Sequence, residues 1–404
     1  MGSPSVLLLS TYPILKPRHG GQLRARALVE AYRAGGFEAA HLAVVEKGAF
    51  PRGALGPLDV EFPTQDPRWF LGGQDVPVSN DVRSGDFAAS DDAYRRVLAS
   101  LPRKIDVFHL EQPWLLPLVQ RLKQEPRYER ALIVYGSQNI EAPLREGIFR
   151  LKGLKHSELV VGRVLELEST ACRLADLTLT VSPADHDVLQ RMGARTVLSA
   201  PNGIEAWSAK PRLVERWRTK LHARRIALFV GSAHPPNVDG FVKAMGDSLG
   251  FVPPDCRIVI AGGVGVHLAD HYQRARFNTL NLSRLEVTGE LEDEELAALK
   301  TLASVFLLPI FEGGGSNIKT AEAIYSGKPV IATSTSLRGF DAYARLPEIQ
   351  VADTRDAFQA AMRKALSPSS LAPANLEGAG LRAKLLWNQS LGSVAPAVRQ
   401  LLAR

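Results

Sequence analysis

The chain has 404 residues, enough for more than one hydrophobic core, and its 45% hydrophobic and 23% charged content is that of an ordinary globular protein. No apolar run approaches the roughly 18 residues of a membrane span, and the start, MGSPSVLLLSTYP, lacks the basic region of a signal peptide. Cys172 and Cys256 lie far apart without metal spacing, which suits a reducing cytoplasm, and the formal charge of +7 favours an anionic partner such as a nucleotide or phospholipid surface. No zinc pattern, basic–aromatic run or ribonucleoprotein signature points to nucleic acid.

Ser5 to Ser10 reads as a buried strand, Tyr12 to His19 as a loop, and Gly20-Gly21 as the opening of a helix running to about Arg33. The two glycines are either a plain tight turn or a ligand loop at the carboxyl end of a strand. Phe37 to Val45 is a second strand. Ala49 to Ser90, rich in Pro, Gly and Asp with little periodicity, reads as an insertion or mobile loop. Asp106 to Leu110 is a strand followed by Glu111-Gln112-Pro113-Trp114, and Leu132 to Tyr135 another followed by Gly136 to Glu141. Polar groups just past strand ends line clefts, although His109 is equally readable as a satisfied core histidine. Glu158 to Ala175 is helical, Leu177 to Val181 a strand, Pro183 a helix start, and Thr196 to Gly203 closes this half. Ile204 to Pro211 reads as a linker.

The second half repeats the alternation. Ile226 to Val230 is a strand that runs into Gly231, Ser232, His234 and Asn237; Arg257 to Ala261 is another, ending in Gly262-Gly263. Glu292 to Leu302 is an acidic helix, and the last residues, 381–404, read as helical. Strands alternating with helices imply two Rossmann-like parallel-sheet domains with a cleft between them.

The stretch FEGGGSNIKTAEAIYSGKPVIAT, Phe311 to Thr333, carries the most chemistry. A buried strand, Val305 to Ile310, meets Glu312 and three glycines, Gly313, Gly314 and Gly315. Ser316 is an N-cap candidate for a helix from Asn317 to Ser326, which Gly327 ends. Unpaired N–H groups and the macrodipole at a helix start stabilise a phosphate, and glycines allow its close approach. Lys319 in the first turn needs something negative nearby. Glu322 projects from roughly the same face, where a carboxylate suits a ribose diol. A surface Lys–Glu pair is the plainer alternative.

In this order, DVFHLEQP, SQNIEAPL, ADLTLTVSPAD, PNGIE, FVGSAHPPNVDGF, VTGELED and GGGSNIKTAEAIYSGKPVIAT make the chain resemble, over nearly its full length, the retaining GT-B glycosyltransferases of glycosyltransferase family 4. The resemblance implies an α/β fold of two Rossmann-like domains. Residues 1–204 would bind the acceptor and 205–380 the nucleotide sugar, with 381–404 packing back on the first domain. It implies transfer of a sugar from a UDP- or GDP-sugar to a glycan or lipid-linked acceptor, with retention and without a metal or other cofactor, in cytoplasmic surface-polysaccharide or lipopolysaccharide synthesis. The implied donor contacts are Gly20, Gly21, Gly231, Ser232, Asn237, Gly289, Gly313 to Gly315, Ser316, Asn317, Lys319 and Glu322. The implied catalytic positions are Gln138, His109 and Glu312.

The pattern departs from the family's in three places. Glu312 and Glu322 stand further apart than the family's paired glutamates. Ser232, His234 and Asn237 occupy a segment that usually offers Arg and Lys. Gln138 replaces a histidine, so it can hydrogen-bond a hydroxyl but carries no charge; His19 and His109 are candidates to substitute. A non-catalytic nucleotide-sugar-binding subunit and a GT-B sugar-nucleotide epimerase are the alternatives. Lys16, Arg18, Arg24, Arg26 and Arg33 form either a basic face for anionic membrane at its inner surface or scattered solvated charge.

Overall fold

The computed structural model describes residues 2–312, 316–367 and 378–404. Packing divides it into two compact units, Met1–Pro201 with Trp387–Arg404, and Asn202–Leu386. The first comprises β1 (Ser5–Ser10), α1 (Gly20–Ala34), β2 (Glu38–Glu46), β3 (Val60–Phe62), α2 (Asn80–Ala89), α3 (Asp91–Ser100), β4 (Val107–Glu111), α4 (Leu116–Leu122), β5 (Leu132–Ser137), α5 (Glu141–Lys152), α6 (Ser157–Leu174), β6 (Leu177–Thr180), α7 (Pro183–Arg191) and β7 (Val197–Ser199). Its strands pair in parallel in the order β3-β2-β1-β4-β5-β6-β7.

The second unit runs α8 (Pro211–Leu221), β8 (Arg225–Val230), α9 (Pro235–Met245), β9 (Cys256–Ala261), α10 (Val264–Arg274), α11 (Asn278–Leu282), β10 (Leu285–Gly289), α12 (Asp293–Leu302), β11 (Val305–Leu308), α13 (Ile318–Tyr325), β12 (Val330–Ala332), β13 (Ile349–Val351), α14 (Arg355–Ala365) and α15 (Ala379–Ala383). Its sheet is also parallel, ordered β10-β9-β8-β11-β12-β13. Two short helices, α16 (Trp387–Ser390) and α17 (Val394–Leu402), return to the first unit. There the Arg399 guanidinium lies over the Phe37 ring at 4.9 Å and donates to the Gly35 carbonyl.

Each sheet is parallel because its strands are apolar on both faces, as helical crossovers on both sides require. In the second unit the alternation is explicit. Ala227, Phe229, Ile258, Ile260, Val305 and Leu307 enter one core, and their neighbours Leu228, Val259, Ala261, Phe306 and Leu308 the other. Fully burying each large side chain contributes about 1.5–3 kcal/mol, so these strands hold the frame on which the loops sit. The strand order reverses between β1 and β4 in the first unit and between β8 and β11 in the second. Crossovers diverge there, opening a crevice at the carboxyl strand ends.

Three expectations need correction. Residues 49–90 are not a structureless insertion: β3 extends the sheet edge, and α2 buries Val82, Phe87 and Ala88. A three-residue strand is too short to show a period, and the surrounding Pro and Gly masked it. Residues 204–211 are no free linker, because Ile204 donates its N–H to the Leu385 carbonyl at 2.8 Å and Trp207 packs on the core of the second unit. Of the tail expected to pack back on the first domain, the residues up to Leu386 lie in the second unit and only Trp387–Arg404 in the first.

Gly262 ties three strand ends together. It has φ +99°, and a Cβ there would stand 2.3 Å from the Gly231 carbonyl oxygen. Its N–H donates to the Gly289 carbonyl at 2.7 Å, while Gly231 donates to the Ala261 carbonyl at 2.9 Å. Gly262→Ala should therefore destabilise the protein by about 2–3 kcal/mol through backbone strain and steric overlap. An unchanged urea midpoint would contradict this close approach.

Candidate functional site

The reversal point of the second sheet gathers most of the candidate donor residues. The chain leaves β8 through Gly231 and Ser232 and enters α9 at Pro235, whose fixed φ and missing N–H suit a first helical position. In that first turn Asn237 donates from Nδ2 to the Ser232 carbonyl at 3.0 Å, and its Oδ1 accepts from the Lys319 ammonium. Lys319 occupies the first turn of α13, which follows β11 on the other side of the reversal. Ser232, Asn237 and Lys319 thus converge.

Lys319 is half-buried, with its ammonium 5.7 Å from the centre of the Phe229 ring, and among the described residues it forms no ion pair. Burial alone pushes its pKa down to about 8. The same turn carries the helix-start N–H groups of Ile318 and Lys319, which have no backbone partner among the described residues. Concentrated positive potential with no ion-pair partner among the described residues is the electrostatic signature of an anion site.

The cap position of α13 falls at Asn317, not Ser316, and the Asn317 side chain makes no cap hydrogen bond. Ser316 is instead held by Asn202 of the PNGIE segment, whose Nδ2 donates to the Ser316 carbonyl at 3.0 Å and its hydroxyl at 3.1 Å. Glu322 and Lys319 do not pair, contrary to the plainer expectation from their spacing. The Lys300 ammonium of α12 donates to Glu322 Oε1 at 2.5 Å. Glu312 is exposed at the end of the β11 segment, and Gly289 ends β10 in the left-handed region with φ +70°. Gly313, Gly314 and Gly315 lie outside the described residues.

At the reversal point of the first sheet a buried carboxylate organises the polar groups. Glu111, the last residue of β4, accepts from Arg24 Nε at 2.7 Å, His109 Nε2 at 3.1 Å and Gln138 Nε2 at 2.9 Å. Burial raises the Glu111 carboxyl, but the Arg24 guanidinium and the His109 and Gln138 hydrogen bonds outweigh it and hold the pKa below its ordinary value. Gly136 makes room for this group, since a Cβ there would lie 2.1 Å from Glu111 Oε2.

Because a carboxylate only accepts, the Gln138 amide must turn its NH2 toward Glu111. Its second hydrogen goes to the Tyr12 oxygen at 2.6 Å. Gln138 Oε1 and the Tyr12 O–H are left as an acceptor and a donor without protein partners among the described residues. Tyr12 also packs against Gly21, 3.0 Å from where a Cβ would stand, which places the Gly20-Gly21 start of α1 beside Gln138. Next to Glu111, Gln112 adopts φ +74°, unusual for a non-glycine residue and a mark of constraint at such sites.

The two histidines proposed to substitute at Gln138 part company. His109 is wholly buried, its Nδ1 meeting the Tyr32 hydroxyl at 2.9 Å and its Nε2 meeting Glu111. It supports the carboxylate from inside and has no open face. His19 is exposed and lies edge-on to Tyr12 at 5.1 Å. Arg24, counted in a basic surface, is instead the buried counter-ion of Glu111. Lys16, Arg18 and Arg33 are exposed and Arg26 is partly so. No described helix is long and apolar enough to cross a membrane.

Sequence reasoning missed Tyr12, Arg24, Asn202 and Lys300 as contributors and read Glu111 only as one of the polar groups past a strand end. Only the strand-end position of Glu111 and the PNG turn around Asn202 carried any signal.

Residues 224–367 match the model of the family described as glycosyl transferases group 1. No curated protein matches the chain in sequence. Among solved structures, the chain is similar to a sucrose-phosphate synthase from Thermosynechococcus elongatus, with 16% identity, TM-score 0.73 and 99% of each chain covered. It is also similar to Anabaena HepE in complex with UDP, at 16% identity and TM-score 0.64, covering 98% of this chain and 100% of that one. WaaG, a glycosyltransferase involved in lipopolysaccharide biosynthesis, aligns at 15% identity and TM-score 0.62, covering 98% and 99%. The fold is the two-domain GT-B arrangement of Rossmann-like sheets, as the motif order implied.

The buried charge pair has a direct consequence for stability. Glu111→Leu removes the buried counter-ion of Arg24 and should cost about 3–5 kcal/mol, whereas Arg24→Met combined with Glu111→Leu should recover most of that loss. Urea unfolding of the three proteins checks this, and a single variant as stable as the parent would show that the pair is not desolvated.

Proposed function

We propose that the chain is a retaining glycosyltransferase that moves a sugar from a nucleoside diphosphate sugar to a glycan or lipid-linked acceptor in surface-polysaccharide or lipopolysaccharide synthesis. The observation that carries the reading is Lys319, an ammonium held out of water at a helix start with an amide oxygen and an aromatic ring but, among the described residues, no carboxylate. A pyrophosphate supplies the missing negative charge. Glu322, one helical turn on, accepts from the ribose hydroxyls. UDP in the HepE complex and the match to a glycosyltransferase family model over the second unit support a nucleotide-sugar donor.

In this reading the second unit binds the donor and the first the acceptor. The oriented Gln138 carbonyl and Tyr12 hydroxyl provide neutral hydrogen bonds to sugar hydroxyls. Lys319 and the helix-start N–H groups stabilise charge as it grows on the leaving diphosphate, so no metal is required for that role. Departure of the diphosphate leaves an oxocarbenium-like sugar, and a leaving phosphate oxygen takes the acceptor hydroxyl's proton on the same face. Attack from that face gives retention.

Lys319→Ala or Glu322→Ala should lower turnover by on the order of a hundredfold, as lost electrostatic positioning does. Wild-type turnover in both variants would refute the assignment. Nucleotide binding without sugar transfer, across a panel of UDP- and GDP-sugars, would favour a non-catalytic binding subunit instead.

The lowered Lys319 pKa also sets a pH dependence. The unfolded chain holds this proton up to about pH 10.5, so burial of Lys319 costs stability below about pH 8, and the cost fades as pH rises toward 10.5. A bound diphosphate favours the charged form. UDP affinity should therefore fall as pH rises through about 8, and binding above that pH should take up a proton. Calorimetry in buffers of different ionisation enthalpy measures this uptake. Equal uptake by Lys319→Gln would assign the proton elsewhere.

A further inference from the structure

Glu322 has a partner that no motif identifies. Lys300, on α12, is 5% exposed, and its ammonium donates to Glu322 Oε1 at 2.5 Å while lying 5.6 Å from the centre of the Trp207 ring. The Glu322 side chain is 23% exposed, and its Oε2 has no protein partner among the described residues. One carboxylate oxygen is thus tied inward to a buried cation, and the other remains at the rim as an open acceptor.

We propose that Lys300 is a positioning residue for nucleotide recognition, fixing Glu322 so that Oε2 meets the ribose hydroxyls. The inference rests on the donor-site reading given above. Two physical effects require such a residue. A glutamate side chain free to rotate loses conformational entropy on binding, and a preorganised one has already lost it. An uncompensated carboxylate one helical turn from a diphosphate would also repel it, whereas the Lys300 charge offsets the repulsion without itself reaching the phosphates. Lys300 can hold the carboxylate because Trp207 and the surrounding core keep its ammonium from bulk water, where the pair would count for little.

The discriminating experiment compares UDP with 2′,3′-dideoxy-UDP on wild-type protein, Lys300→Met and Lys300→Arg, by calorimetry, with the GDP pair run alongside. Wild-type protein should prefer the ribonucleotide by about tenfold or more, the worth of hydrogen bonds to a charged group. In Lys300→Met that preference should collapse toward unity, and Lys300→Arg should restore most of it. Equal weakening of both nucleotides would be a merely structural effect and would overturn the assignment, as would an unchanged ratio. Far-UV circular dichroism and thermal melting establish that the variants are folded, and Lys300→Gln, also neutral, takes the place of Lys300→Met with the same expected loss of preference if Lys300→Met is not. Wild-type protein that binds no nucleoside diphosphate would overturn the donor-site reading and this inference together. Wild-type binding with an unaltered ribose preference in Lys300→Met would overturn only the role of Lys300.

Discussion

An ammonium group largely withdrawn from water, with no ion-pair partner among the described residues, is the feature around which the candidate site of the second unit is arranged. The Asn237 oxygen and the Phe229 ring give Lys319 partial compensation, and burial still lowers its pKa to about 8. Folding tolerates this because the ammonium belongs to α13, which packs Ala321, Ala323 and Ile324 into the core behind it. The apolar side of the helix keeps the polar side in place. An anion at the helix start would turn the cost into binding energy.

The first unit treats its buried charge in the opposite way. Glu111 is neutralised by Arg24 and further bonded by His109 and Gln138. Hydrogen bonds to both oxygens of a buried carboxylate hold its partners rigidly. This closed cluster therefore suits orienting neutral groups, fixing the amide of Gln138 and through it Tyr12. Both clusters stand where strand order reverses, at the carboxyl ends of a parallel sheet. The geometry of that position is shared, and the charge balance decides what each crevice can hold. One is an open cation and the other a neutral pair of hydrogen-bonding groups.

Access to both crevices depends on small residues at strand ends. Gly136 leaves space for a carboxylate, and Gly262 lets the ends of β8, β9 and β10 approach within hydrogen-bonding distance. Elsewhere the polar connections are made by side chains far apart in sequence. Asn202 reaches Ser316, and Lys300 reaches Glu322. Such links position the first turn of α13 from outside its own segment, which is why that turn's chemistry cannot be read from its residues alone.

Much of the architecture is legible before any coordinates. Uninterrupted apolar runs such as Val305–Leu308 and the alternation of strands with helices dictate parallel sheets covered on both faces, because local periodicity reports burial directly. The glycine-rich start of α13, with Lys319 and Glu322 in its first two turns, is likewise a local pattern. The short β3 and the helix α2 were hidden, since their stability comes from packing against a sheet that the local sequence does not contain. The partners of the charges also belong to tertiary structure. Arg24 reads as surface charge until β4 brings Glu111 to it, and the i,i+3 spacing of Lys319 and Glu322 suggests a pair until α9 and α12 supply nearer partners. Composition and periodicity determined the layers and the helix start that carries Lys319. Only the folded chain decided which charges are neutralised and which stay open, because electrostatic pairing depends on distances across the fold that sequence separation does not encode.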